Sequence, residues 1–167
     1  IAFSDKTSNK SSSCHVLSGD ARTLNLKGIA PADGVDLIVT SPPYGEEQNT
    51  IGYHRWSRIM AFWVGFSEVQ MKESESLTLG ARSCKETFVH SKTANYFIDM
   101  VGMKRKRDRA IRLASFFQDY QMTIERMASW LKTEGIIAIV VGNRLAAGHR
   151  IPMDKVTVEL AEEYGLR

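Results

Sequence analysis

Two continuous apolar runs are the clearest strand signals in the chain. Val35–Thr40 ends at Ser41-Pro42-Pro43-Tyr44, and Ile136–Val141 ends at Gly142-Asn143-Arg144. Short runs rich in β-branched residues and bounded by turn residues predict strands buried on both faces of a parallel sheet. A shorter run, His15–Ser18, ends at Gly19-Asp20-Ala21 and predicts another strand.

Two other segments carry the three-and-four spacing of amphipathic helices. The longer predicted helix ends at Glu134-Gly135 and has a core-facing stripe of Leu113, Phe116, Phe117, Tyr120, Ile124, Met127, Ala128 and Leu131. The second begins around Ile151-Pro152-Met153-Asp154 and ends at Gly165, and its shared face consists of Val156, Leu160, Ala161 and Tyr164.

Strands that alternate with helices predict an open, mostly parallel α/β sheet, in which ligands bind at the carboxyl ends of the strands. The length of 167 residues suits one domain. We expect a flexible lead-in over residues 1–13 and the domain over 14–167. Residues 45–112 interrupt the alternation and are expected to form an excursion that contacts substrate.

Composition narrows the class of protein only slightly. A net charge of +3 and a pI near 8.9 permit a nucleic-acid partner without requiring one. Cys14 and Cys84 lack the spacing of a zinc site or a disulfide framework, so two reduced thiols and no metal are expected. Without a membrane-length apolar run or a signal-peptide core, the expected location is the cytoplasm.

The most specific motif is Ser41-Pro42-Pro43-Tyr44, at the end of a predicted strand. It resembles the hallmark of the DNA amino-methyltransferases, in which Ser, Asp or Asn precedes Pro-Pro and an aromatic residue. An exocyclic amine can attack a sulfonium methyl group once its lone pair is freed from ring conjugation. The resemblance implies that Ser41 and the Pro42 carbonyl accept the two amine hydrogens, that the prolines fix the backbone, and that Tyr44 stacks on a flipped base. An isolated tetrapeptide of this kind also ends strands in ordinary turns.

Context extends the resemblance over residues 16–167. Asp20 and Ala21, about twenty residues upstream, resemble the family's strand end beside the cofactor adenine, where the acidic side chain accepts from the adenine amino group. Gly19-Asp20 is by itself a common turn. The remaining matching segments are weak singly and stronger as an ordered set: Gly52–Arg58, Phe62–Gly65, Val141–Arg144 and Ile151–Asp154.

One departure from the family is clear. The glycine-rich cofactor loop, of the type Phe-x-Gly-x-Gly, has no counterpart in this sequence, nor has the acidic residue that holds the ribose hydroxyls. The resemblance therefore implies an incomplete Rossmann-like domain of the class I methyltransferase type, with a long insertion after the catalytic strand. We expect the missing part before Ile1, after Arg167 or on another chain, and this polypeptide alone is expected to be inactive or weakly active.

The densest positive run, Lys104-Arg105-Lys106-Arg107, continues to Arg109 and Arg112. Charge patterning alone favours a solvated face. In an enzyme that holds duplex DNA, such a run fits phosphate contacts, with Arg55, Arg58 and Arg82 as weaker candidates. Trp56, Phe62 and Trp63 are expected to pack the excursion, and the four histidines form no paired motif.

The family resemblance implies an S-adenosylmethionine-dependent enzyme that methylates an exocyclic amino group in DNA, with cytosine slightly favoured over adenine as the target base. A restriction endonuclease of the same system is an expected partner. Two alternatives stay open: the same chemistry on RNA or on a protein glutamine, through a related motif, and a non-catalytic DNA-binding remnant that holds no cofactor.

Overall fold

The computed structural model describes residues 14–42, 53–81, 88–103, 107–146 and 148–167. The described part is a mixed α/β structure. Its elements in chain order are β1 (Val35–Thr40), α1 (Tyr53–Trp63), α2 (Glu68–Ser76), α3 (Lys92–Met103), α4 (Arg107–Trp130), β2 (Leu131–Ile139), β3 (Arg144–Ala146), β4 (His149–Ile151) and α5 (Met153–Glu163).

A small parallel sheet joins β1 to β2, in which Leu37 pairs with Ile136 and Thr40 with Ile139. The strand predicted from the first apolar run is confirmed with the same bounds, and the second run lies within and just beyond β2. Gly34 precedes β1 at φ 105°, and a Cβ there would lie 2.7 Å from the Trp130 carbonyl oxygen. The start of β1 can therefore approach the α4–β2 junction this closely only with glycine.

The hydrophobic core lies between α3, α4 and α5. From α4 it takes most of the predicted stripe, in which Phe116, Phe117, Tyr120 and Ile124 are fully buried. The last two predicted members, Ala128 and Leu131, are only partly buried, and Leu131 belongs to β2. From α5 it takes Val156 and Leu160, as the helical spacing predicts. Full burial of one such large apolar side chain stabilises a fold by roughly 1.5–3 kcal/mol, so α4 is the most firmly held element.

The two faces of the sheet differ. Ile38, Ile137 and Ile139 pack against the helical core, whereas Leu37, Val39, Ile136 and Val140 are exposed. The prediction that these strands are buried on both faces is wrong for the described residues, because the helices described here cover the sheet from one side only.

Two further predictions need correction, and one element was missed. Residues 15–18 form no strand: Val16 is 94% exposed, and no described strand pairs with this segment. The long helix ends at Trp130 rather than at Glu134-Gly135, because Leu131 already pairs with Val35. Glu134, at φ 66°, instead lies at a register irregularity within β2. The antiparallel hairpin of β3 and β4 was not predicted, since three-residue strands show no periodicity.

The segment expected to be an excursion divides into two parts in the described residues. The helices α1 and α2 contact each other, and among their described side chains only Met71 is buried. By contrast, α3 contributes Ala94, Ile98 and Val101 to the core. None of the described helices is both long and apolar enough to cross a bilayer.

Candidate functional site

A cavity of about 530 Å³ lies at the carboxyl end of β1. It brings together the two segments singled out from the sequence, although about twenty residues separate them: its lining residues are Ser18, Gly19, Asp20, Ala21, Thr40, Ser41, Pro42, Ser74, Leu77, Thr78, Leu79 and Thr123. A cavity of this size is within the range of small-molecule sites, roughly 300–1,000 Å³.

Asp20 and Ala21 enter the cavity on a turn rather than on a strand. The Asp20 carbonyl accepts hydrogen bonds from the backbone N–H groups of Thr23 and Leu24, at 3.0 and 2.7 Å. The expectation that Asp20 lies at the end of a strand is therefore wrong, although Asp20 and Ser41 line the same cavity. The carboxylate of Asp20 is about one-fifth exposed.

Arg22 holds the carboxylate of Asp20. Its backbone N–H donates to Oδ1 at 2.9 Å, and its Nη2 donates to Oδ2 at 2.7 Å. Its Nε lies 3.0 and 3.1 Å from the two oxygens. A planar guanidinium in this fork arrangement fixes a carboxylate more firmly than a single ammonium group can.

The same guanidinium reaches the core helix. Nη1 of Arg22 pairs with Oδ1 of Asp119 on α4 at 2.6 Å, and Nη2 also donates to the Leu77 carbonyl at 3.2 Å. The hydrogen bond to Asp20 raises the pKa of the Arg22 guanidinium above its already high ordinary value; burial opposes this increase and Asp119 reinforces it. Arg22 is therefore a permanent cation between two carboxylates.

Asp119 also holds the segment after α2, which contributes to the cavity lining. Its Oδ2 accepts the backbone N–H of Gly80 at 2.8 Å. Gly80 has φ 77°, and a Cβ there would lie 3.0 Å from Cβ of Phe116, so this segment lies close against α4. One turn farther along α4, Thr123 lines the cavity.

Ser41 and Pro42 follow β1 directly. The Thr40 carbonyl accepts the backbone N–H of Val140 at 3.0 Å, which continues the sheet pairing to the edge of the cavity. Pro43 and Tyr44, the other two residues of the motif, lie outside the described residues. The structure thus brings the first half of the motif to the same cavity as Asp20.

The predicted nucleic-acid contacts are only partly within the described residues. Arg107 begins α4 and is exposed, whereas Lys104, Arg105, Lys106 and Arg82 lie outside the described residues. Arg58 on α1 is partly buried and lines a smaller cavity of about 150 Å³ between α1 and α2. Arg55 also lies on α1. Their contact with nucleic acid stays a prediction.

Sequence reasoning missed several residues of the cavity. Ser74, Leu77, Thr78 and Leu79 come from the end of α2 and the loop after it, and Thr123 comes from the core helix. No local motif marks them, because their place depends on tertiary packing. Arg22 was also missed, although a buried arginine two residues from Asp20 is a natural candidate for an ion pair. Among the described residues, no group of three or more His, Cys, Asp or Glu side chains could hold a metal ion.

Comparison with known proteins finds one similarity to a methyltransferase. The chain is 28% identical over 141 residues to a curated relative, the Type II methyltransferase M.MvaI of Kocuria varians. The alignment covers 78% of this chain and 31% of the relative, so the chain spans about a third of that protein's length. No family model matches, and no solved structure matches.

Proposed function

We propose that this chain is part of the catalytic domain of an S-adenosylmethionine-dependent DNA methyltransferase. The enzyme transfers a methyl group to an exocyclic amino group of a base, and cytosine is slightly preferred to adenine. The incomplete Rossmann-like sheet implied by the family resemblance is part of this proposal. So is a restriction endonuclease as a partner in the same system.

The cavity at the end of β1 carries the proposal. It joins the Asp20–Ala21 turn to Ser41 and Pro42, which are the two segments that the family would use for the cofactor adenine and for the target amine. Neither motif by itself requires the other to lie in the same cavity, so their meeting there supports the family resemblance. The similarity to a Type II methyltransferase supports the same conclusion from independent evidence.

The residues of the chain suit the proposed chemistry. The Ser41 side chain and the Pro42 carbonyl supply two hydrogen-bond acceptors on consecutive residues at the end of a paired strand. Acceptors held in this way bind the two amine hydrogens in positions that turn the nitrogen lone pair out of conjugation with the ring. The lone pair is then available to attack the methyl group. The prolines limit backbone motion, so the carbonyl needs little reorganisation during the reaction.

The cavity fits the adenosine part of the cofactor. The Asp20 carboxylate is an acceptor suited to an amino group, and the hydroxyls of Ser18, Thr78 and Thr123 are further polar groups among the lining residues. When bound, S-adenosylmethionine supplies the activated methyl group. Because the sequence has no match to the glycine-rich loop, only the adenosine half of the cofactor site is assigned to this chain.

A methyl-transfer assay with DNA tests the proposal. In the complete protein, Ser41→Ala and Tyr44→Ala should each lower the rate of methyl transfer from labelled S-adenosylmethionine by roughly a hundredfold or more. The first variant loses a preorganised acceptor at the reacting amine, and the second loses the ring proposed to stack on the flipped base. Ser129→Ala is the matched control, since Ser129 is an exposed serine on α4 outside the cavity lining. Its rate should equal that of the unchanged protein.

The products separate the competing functions. Digestion of the DNA to nucleosides distinguishes N4-methylcytosine from N6-methyladenine and so identifies the base. Methylation of RNA or of a glutamine side chain, with no methylation of DNA, would overturn the proposed substrate. Binding of DNA without any binding of S-adenosylmethionine in calorimetry would identify a non-catalytic remnant instead.

A further inference from the structure

Two consecutive ion pairs connect the Asp20 carboxylate to the core helix α4. Arg22 binds it, and Asp119 on α4 binds Arg22 at 2.6 Å. Neither Arg22 nor Asp119 is among the residues that line the cavity. Their effect on the geometry of a ligand site there is therefore exerted through residues that they hold in place.

Arg22 is unusually well placed for such a role. Its side chain is 8% exposed, so both ion pairs are shielded from solvent. In this setting, removing one partner leaves a desolvated charge without compensation. Each contact that Arg22 makes with Asp20, through its backbone N–H, Nε and Nη2, restricts the rotation of the carboxylate.

Asp119 contacts two parts of the chain that support the cavity lining. One of its oxygens pairs with Arg22, which holds Asp20, and the other accepts the N–H of Gly80, which adjoins Leu79 in the lining. Fully buried aromatic residues on both sides of Asp119 anchor α4 in the core. Asp119 therefore ties both parts of the lining to the core helix.

We infer that Arg22 and Asp119 are positioning residues that set how strongly the cavity recognises the amino group of an adenine ring. This inference rests on the proposed function, since it takes adenosine as the ligand. Asp20 accepts from the amino group, Arg22 orients the accepting oxygens, and Asp119 fixes Arg22. The ligand class is an adenosine derivative, and discrimination against the inosine analogue is the property that the pair controls.

Calorimetric binding of two ligands tests the inference. S-adenosylhomocysteine carries the adenine amino group, whereas S-inosylhomocysteine has an oxygen in its place. The unchanged protein should bind the adenine compound about tenfold or more tightly, because the oxygen cannot donate to Asp20 and leaves the carboxylate facing an acceptor. If Arg22 and Asp119 had only a structural role, their substitution would weaken the binding of both ligands equally. The ratio of the two dissociation constants would then stay unchanged.

The ratio of the two dissociation constants is measured in three variants. Asp119→Asn keeps the shape but removes the charge that fixes Arg22, and it should bring the ratio close to one. Arg22→Lys keeps the charge but loses the fork geometry, and it should do the same. Glu125→Gln is the control, because it makes the same acid-to-amide change at an exposed position of the same helix and should leave the ratio unchanged.

The outcomes are distinct. If the unchanged protein binds neither compound, the proposed function fails and the inference fails with it. If it binds both equally, or if Asp119→Asn and Arg22→Lys are folded by circular dichroism and keep the full ratio, the inference is overturned while the proposed function stands. Should Asp119→Asn not fold, the result for Arg22→Lys decides.

Discussion

The helical core and the α1–α2 pair place the same kinds of side chain in opposite environments. In the core, Phe116 and Phe117 have no exposed surface, whereas Trp63 on α1 is 80% exposed and Val69 on α2 is 74% exposed. Burial holds the core helices. The α1–α2 pair depends more on local signals: a capping box between Ser67 and Gln70 and an exposed ion pair between Glu68 and Lys72.

These local signals are weak compared with burial. A helix cap contributes about 0.5–2 kcal/mol and an exposed i,i+4 pair about 0.3–0.5 kcal/mol, against roughly 1.5–3 kcal/mol for each large apolar side chain buried. Both regions contribute to the cavity, since Thr123 comes from the core helix and Ser74 from α2. The cavity thus has one strongly anchored wall and one weakly anchored wall.

The largest expected effect is that of an alanine in the core. Phe117→Ala should lower the free energy of unfolding by about 3–5 kcal/mol, because the buried ring is lost and the space it leaves collapses only in part. Trp63→Ala, which removes an even larger side chain from α1, should change it by less than about 0.5 kcal/mol. Urea unfolding followed by far-ultraviolet circular dichroism measures both. Equal losses would show that α1 is as firmly packed as the core.

A smaller effect is expected where a carboxylate joins two core helices. Glu159 on α5 accepts hydrogen bonds from the hydroxyls of Ser91 and Thr93, both at 2.6 Å, and from the Thr93 N–H at 2.9 Å. Burial acts to raise the pKa of Glu159, but these hydrogen bonds outweigh it and lower the pKa below its ordinary value. Glu159→Gln should therefore lower stability at pH 7 by about 1 kcal/mol.

The contribution of Glu159 to the free energy of unfolding should depend on pH in one direction. Because the folded-state pKa of Glu159 is lowered, its contribution is complete above the unfolded-state pKa, roughly 4.3, and is lost as the pH falls through the folded-state value. The difference between the unchanged protein and Glu159→Gln should shrink as the pH falls below about 4. A difference in unfolding free energy that stays constant from pH 7 to pH 3 would rule out the carboxylate as its source.

The smallest effect on stability is expected at the basic run. Neutralising Lys104, Arg105, Lys106 and Arg107 to Gln should change the unfolding free energy by less than about 0.5 kcal/mol, since Arg107 is exposed. If the run contacts DNA phosphates, affinity for specific and random duplexes should fall about equally, and the salt dependence should flatten by roughly 0.9 logarithmic units per lost contact.

Binding against salt concentration checks this prediction, with the exposed residue Lys27→Gln as the control. An unchanged slope would assign the run to a solvated face. A loss limited to the specific duplex would indicate base readout.

Local sequence patterns were sufficient to predict a helix or strand where the residues of that element determine its structure. The apolar run of β1, the stripe of α4 and the start of α5 are all confirmed as elements, and each places at least some of its apolar residues against the core. The run at 15–18 looked similar but has no strand partner among the described residues, and a strand without a partner leaves its backbone groups unpaired. Its apolar residues therefore gave a wrong prediction.

The sequence motifs predicted some of the residues that line the candidate site, but not the ion pairs that hold Asp20 in place. Asp20 and Ser41 share a cavity, as the order of the motifs along the chain suggested. The ion pairs that hold Asp20 could not be inferred, because Asp119 looks like any polar residue on the outer face of an amphipathic helix. Only the fold brings it to Arg22, across about a hundred positions of sequence.

The pairing of β1 with β2 has a similar separation, with Thr40 opposite Ile139. Closing a loop of about a hundred residues costs conformational entropy that grows with the logarithm of its length, whereas the turn at Asp20 or the end of α5 closes over a few residues. Ser41, the proposed acceptor, thus stands at the end of one of the least local contacts in the chain. The position of this proposed acceptor is set by the whole domain and not by the tetrapeptide that contains it.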